Sequence, residues 1–191
     1  MNMLTDSPDA VTADWAAALL DFWFNQVGEK GWWGHDPLLD RLCKARFMKT
    51  WEEKRRLPAE DFLERADEAL AAVLLFDQLP RNMFRQSATA FATDPLARDI
   101  ARGAIAHGYD IQIGGAGRLF FYMPFQHSEA LEDQELSLTL FEAAGDQQSL
   151  DFAREHHAVV KQFGRFPHRN AVLGRSDRPG EAEAATQGAS W

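Results

Sequence analysis

Residues 58–85 read PAEDFLERADEALAAVLLFDQLPRNMFR. Phe62, Ala66, Ala69, Leu70, Val73, Leu74 and Asp77 recur at three- and four-residue steps, which places them on one face of a helix beginning near Pro58. Glu60 and Asp61 favour its first turn. Pro80 disfavours helical geometry in the residue before it, so the spacing predicts an end by Leu79. Asp77 shares the apolar stripe, and a buried carboxylate is costly unless paired or hydrogen-bonded. Arg81 and Arg85, brought back by a turn at Pro80, are its natural partners.

The same periodicity extends in both directions. Upstream, a helix is expected from about Ala13 to Val27, with Thr12 as cap and Gly28 as terminator; Trp15, Leu19, Phe22 and Trp23 form its stripe. Gly31 to Gly34 reads as a loop carrying Trp32 and Trp33, and Asp36-Pro37 opens a second helix ending near Arg56. Downstream, Thr93-Asp94-Pro95 starts a helix that stops at Gly108, and residues 108–117 read as a loop with four glycines. A short helix over Arg118 to Phe125 is interrupted by Pro124. Ser128 can cap a helix to Ala144, and Asp146 one to Phe163. Pro167 to Leu173 forms a last turn. No strand pattern competes. The expected fold is all-α: one domain over residues 13–175, built of stacked antiparallel helix pairs with no legible sequence repeat. Residues 1–12 are expected to be flexible and 176–191 to form a polar, loosely held tail, with a possible contact from Trp191.

The 191-residue chain is 46% hydrophobic and 26% charged, with a net charge of −9. That balance suits a soluble domain and disfavours a nucleic-acid or anionic-membrane binder, because phosphates select basic surfaces. The N-terminus lacks a basic segment followed by an apolar one, and no apolar run approaches the roughly 18 residues of a membrane span, so a cytoplasmic location is expected. Cys43 stands alone in a helical pattern and reads as a buried thiol. No metal-ligand spacing, phosphate loop or dinucleotide motif occurs, and neither a metal nor a cofactor is expected.

Chemistry gathers in three segments where polar residues emerge from aromatic runs. The first is Asp77 to Arg85. The second, Phe120 to Glu129, delivers His127, Ser128 and Glu129 after Phe121 and Tyr122, at what the pattern reads as a helix N-terminus that favours anions. The third, Phe163 to Arg175, holds three arginines and one histidine but no acid in a strongly acidic protein. Arg165, His168, Arg169 and Asn170 there supply forked donors suited to carboxylate or phosphate. His156, on an apolar stripe, reads as a core histidine bonded to a carbonyl.

Three blocks, DQLPRNMFR from Asp77, FFYMPFQHSEALEDQE from Phe120 and FGRFPHRNAVLGR from Phe163, resemble the hallmark blocks of a bacterial family catalogued as domain of unknown function 924. Phe22-Trp23-Phe24 and Trp32-Trp33 resemble its N-terminal block. The resemblance implies an all-helical, tetratricopeptide-like fold and no particular reaction. The tail departs from the family pattern: Ser176-Asp177 leads into Glu181-Ala-Glu-Ala-Ala, which argues against a closing helix. The expectation is a cleft on which Asp77, Arg81, Arg85, Tyr122, His127, Glu129, Arg165, His168, Arg169 and Asn170 converge, walled by Trp32, Trp33 and Phe121. Such a cleft would bind a small anionic metabolite or a carboxylate-bearing peptide, with Arg165 and Arg169 as clamps. Alternatively it would serve a hydrolase or lyase with His127 or His168, and Glu129 beside them, as catalytic candidates. A helical interaction scaffold is the third class, marked by exposed aromatic patches.

Overall fold

The second half of the stretch that suggests one amphipathic helix is buried on every side. In the computed structural model, which describes residues 14–187, helix α4 (Ala66–Val73) lies at the centre, packed by α1 (Trp15–Leu20), α6 (Asp94–Ala106) and α8 (Gly115–Gln126). Every residue from Ala69 to Pro80 is buried, so the run is apolar all round rather than striped. The described residues contain no strand, and the domain is all-α.

Two boundaries in this stretch differ from the expected helix of residues 58–79. Ala59–Phe62 is a 3₁₀ turn separated from α4 by Leu63 to Arg65. The helix also does not stop at Leu79. It widens into a π-helical stretch, Leu74–Gln78, and continues as α5 (Leu79–Met83) with Pro80 in its first turn. In a plain α-helix Pro80 would clash with the carbonyl of Phe76 and leave it without a donor. Here the Phe76 carbonyl is taken by the Thr93 hydroxyl at 2.7 Å, and the Leu79 N–H reaches back five residues to Leu74. The proline is thus absorbed by one wide turn.

The outer helices follow their start signals. The Asp14 carboxylate accepts from the Ala16 and Ala17 N–H groups at 3.2 and 3.3 Å; the expected cap Thr12 lies outside the described residues. α1 runs on as a π-helical stretch, Asp21–Val27. The expected loop at Gly31 is largely helix α2 (Glu29–Trp32), and α3 (Pro37–Lys54) starts on an Asp36 cap. The expected glycine loop 108–117 is also mostly helical, comprising α7 (Tyr109–Ile113) and the first turn of α8. Pro124 lies inside α8 and does not end it.

Helix α9 (Leu131–Ala144) begins later than the expected Ser128, with Ala130 at its cap. Ser128 instead accepts from the Ala130 N–H at 3.2 Å, making a turn ahead of the helix. Buried Gln134 pins this turn by donating to the Gln126 and Ser128 carbonyls, each at 2.6 Å. α9 and α10 (Gln147–Phe163) are joined through Gly145 and Asp146, a connection short enough to make them antiparallel neighbours. After the 3₁₀ turn Pro167–Arg169, the chain forms α11 (Glu181–Gln187) where a loose polar tail was expected. Glu181 explains the difference: it is buried and accepts both a fork from Arg165, at 2.8 and 2.6 Å, and a bond from Asn170 at 3.0 Å. Trp191 lies outside the described residues.

Candidate functional site

Helices α2, α5, α7, α8 and α10 surround a cleft of about 970 Å³. That is at the large end of small-molecule sites. Trp32 and Trp33 form one wall. Trp32 is fixed by its indole N–H, which donates to the Trp23 carbonyl at 2.9 Å, and by edge contacts with Phe24 and Phe120 at 5.5 and 5.1 Å. Trp33 stacks on Phe120 with its ring nearly parallel, 6.1 Å away. Gln78, Arg81, Asn82 and Arg85 come from the wide turn and α5; Arg118, Met123, Gln126 and His127 come from α8 and its end; Phe152 and His156 come from α10.

At the floor, His127 meets Asp77. The ring Nδ1 lies 2.9 Å from both oxygens of a carboxylate with no solvent exposure. Gln78 Nε2 donates to the same carboxylate at 2.6 Å, and an Arg81 nitrogen lies 3.3 Å from it. Arg81 also forks onto Asp94, with both bonds at 3.2 Å, and donates to the Asp77 carbonyl. Behind His127, Arg169 donates to the His127 carbonyl at 2.9 Å and is sandwiched between Phe91 and Phe166 at 4.7 and 4.4 Å. The widened turn matters here. It lets the consecutive residues Asp77 and Gln78 both contribute to the floor, which π-helical insertions commonly do at sites of function.

The electrostatics divide these groups. Burial opposes the charge on Asp77, but the Arg81 guanidinium and the bonds from His127 and Gln78 outweigh it and hold the carboxyl well below the usual range. Burial pushes Asp94 the other way, against Arg81, making it the weaker acid of the two. Burial, with help from Arg81 and Arg169, also lowers His127 despite Asp77, so the ring is neutral at pH 7. A neutral ring facing a carboxylate through Nδ1 carries its proton there and presents Nε2 as a lone pair. No described residue hydrogen-bonds that nitrogen. His156 is held down to about 3, chiefly by burial and then by His127; its Nδ1 lies 2.8 Å from the Phe152 carbonyl. Cys43 is buried, and burial pushes its thiol up to about 12, which removes it as a nucleophile.

Of the residues expected to converge, Asp77, Arg81 and His127 meet at the floor, Arg169 stands directly behind it, and Arg85 lies at the mouth. Arg85 does not pair with Asp77. It forks onto Asp40 at 2.8 and 2.9 Å, and Asn82 joins the same carboxylate at 2.9 Å. His127 sits at the C-terminal end of α8, not at a helix N-terminus. Tyr122 and Phe121 are core residues; the Tyr122 hydroxyl donates to Asp110 at 2.6 Å and accepts from Arg118 at 2.6 Å. Glu129 turns away to Arg175, at 2.7 and 2.9 Å, and accepts from the Phe166 N–H. Arg165 and Asn170 face α11, and His168 packs beside Phe166 without lining the cleft. The clamp expected from Arg165 and Arg169 is therefore absent from the cleft. Asp40, Asp94, Gln78, Asn82, Arg118, Gln126 and His156 join the site unannounced. Asp94 had been visible only as a helix-start residue. Among the described residues no cluster of His, Cys, Asp or Glu could hold a metal ion, and no helix is long and apolar enough to cross a membrane.

An all-helical bundle opening into one aromatic-walled cleft with a buried His–Asp pair is the class of protein seen here. The chain belongs to the family described as "Bacterial protein of unknown function (DUF924)", whose model matches residues 19–189. It is similar to a solved structure, the protein of unknown function ATU0120 from Agrobacterium tumefaciens. The two are 39% identical, with a TM-score of 0.86, over 92% of this chain and 99% of that one. No curated protein matches the chain.

Proposed function

We propose that the chain is a small-molecule enzyme of the hydrolase or lyase type, with His127 as its general base. One observation carries this reading: an imidazole whose Nδ1 is held by both oxygens of buried Asp77 at 2.9 Å while the ring lines a cleft of about 970 Å³. Asp77 fixes the tautomer and stabilises the imidazolium that forms when Nε2 takes a proton from substrate or from an attacking water. Arg81 in turn holds Asp77 ionised. A base lowered below its ordinary value stays deprotonated through neutral pH. The reading is tested with model esters, amides, phosphate esters and carbon acids, assayed on wild type and His127→Gln. The expected result is a wild-type rate that rises with pH through a value below 6.5 and falls by about 10²–10⁴ in the variant. An equal rate in a correctly folded His127→Gln protein, or no activity on any of these classes, would remove the assignment.

A further inference from the structure

The cleft has two ends of different character, and together they define its substrate more closely. Three of the six large hydrophobic side chains that stand exposed among the described residues gather at its mouth. They are Trp33 at 57%, Ile111 at 63% and Phe152 at 44% exposure. They come from three separate elements: the end of α2, α7 and α10. Exposed apolar surface concentrated at one place, rather than scattered, marks a surface that is covered in use. The Trp33 ring is also pre-set, with one face on Phe120 and the other toward solvent.

The cationic groups of the cleft are, by contrast, already balanced. Arg81 lies on Asp77 and Asp94, Arg85 on Asp40, and Arg118 within 3.9 Å of Asp110. Glu29 and Asp146 add two further carboxylates to the lining. An anionic ligand would have to pull an arginine from its acid, and a cationic one would have to pull an acid from its arginine. An uncharged polar group meets instead the amides of Gln78, Asn82 and Gln126 and the Nε2 edge of His127. The volume also exceeds what a two- or three-carbon acid fills.

We infer that the cleft takes an uncharged amphipathic molecule, with an amide, ester or hydroxyl head at His127 and an acyl or aryl body against Trp33, Ile111 and Phe152. This rests on the general-base reading of His127, since that places the head at the floor.

Calorimetric titration of the full chain with butanamide, hexanamide, octanamide, octanoate and octylammonium at pH 7.5 tests it. Octanamide should bind at least tenfold more tightly than octanoate or octylammonium. Along the amides the affinity should rise by roughly fourfold per methylene. Trp33→Ser and Phe152→Ser, both solvent-facing changes that leave the core intact, should weaken octanamide fivefold or more and butanamide less than twofold. A flat chain-length series, tighter binding of either charged probe, serine variants that bind octanamide as wild type does, or no binding of any probe each overturns the assignment. The base is read separately, from the imidazole ¹⁵N shifts of His127. A flat series beside a neutral, Nδ1-protonated ring defeats the amphiphile alone. A ring charged at pH 7, or protonated on Nε2, defeats the reading beneath it.

Discussion

Changing Asp77 to Asn alters one atom's worth of shape and removes the charge that His127, Gln78 and Arg81 share. The wild-type carboxylate answers His127 through both oxygens, Gln78 through one and Arg81 through the other. An amide offers a single oxygen, so whichever way it turns, its NH₂ faces a donor in a place with no water. Arg81 keeps the Asp77 carbonyl but is left with Asp94 as its one anionic partner. Removing one partner from a buried pair costs about 3–5 kcal/mol. For a chain of 191 residues, an unfolding entropy of about 2.1 cal/mol/K per residue converts this to a melting temperature lower by roughly 7–12 °C. The pH dependence has a definite sign. Asp77 ionises more readily in the folded protein than in the unfolded chain, so its contribution is complete above the unfolded value near 3.9 and is lost as pH falls through the lower folded one. Thermal unfolding followed by circular dichroism should show the full difference between variant and wild type at pH 7, narrowing below pH 4. A difference under about 2 °C at pH 7, or one that does not narrow in acid, would refute the claim that a buried charge organises the floor.

Further consequences are open to measurement. His127, His156 and His168 are all held below the usual histidine value, chiefly by burial, so the unfolded chain binds protons that the native one refuses. Stability should therefore fall as pH drops below about 6.5, by up to about 1.4 kcal/mol per pH unit for each ring, and His156→Gln should visibly flatten that slope in acid denaturation. Thr93→Val strips the hydroxyl from the Phe76 carbonyl and from the Trp51 indole N–H; urea unfolding should register a loss of about 1–3 kcal/mol, and an unchanged midpoint would mean that the wide turn is satisfied some other way. Glu181→Gln should free α11 from Arg165, seen as faster tryptic cleavage after Arg175 with the rest of the chain still resistant; cleavage at the wild-type rate would show that α11 is held by other contacts.

Much of the helical frame could be read from spacing and start signals. Asp36-Pro37 opens α3, and Asp146 caps α10 by accepting from the Ser149 N–H at 2.7 Å. The burial of Asp77 and its pairing with Arg81 followed from their place on an apolar run, and the aromatic wall from Trp32-Trp33. What spacing could not convey was partnership across distance. Arg85 finds Asp40 45 residues away, and nothing near either residue marks the other. The Phe163 to Arg175 block was misassigned for a different reason. It is mostly non-helical, so no periodicity sets the direction of its side chains; Arg169 turns toward His127, while Arg165 and Asn170 turn toward Glu181. The acids that neutralise this block come from elsewhere: Asp94 and Glu129 from earlier segments, and Glu181 from beyond Arg175, in a segment whose polar composition resembles a tail. The unpaired look of the block's arginines was an effect of reading that block alone.

The wide turn at Leu74–Gln78 gives this chain a simple genetic handle. A π-helical turn is an α-helix carrying one residue too many, so a single codon lost between positions 74 and 78 would let the helix close in ordinary register and turn everything after it by about 100°. Pro80 would then strike the turn before it, and Arg81, Asn82 and Arg85 would leave the cleft together. Point substitutions can weaken the site group by group; a one-codon deletion here would dismantle it at once, so the cleft depends on the spacing from Leu74 to Arg85 as much as on the residues themselves.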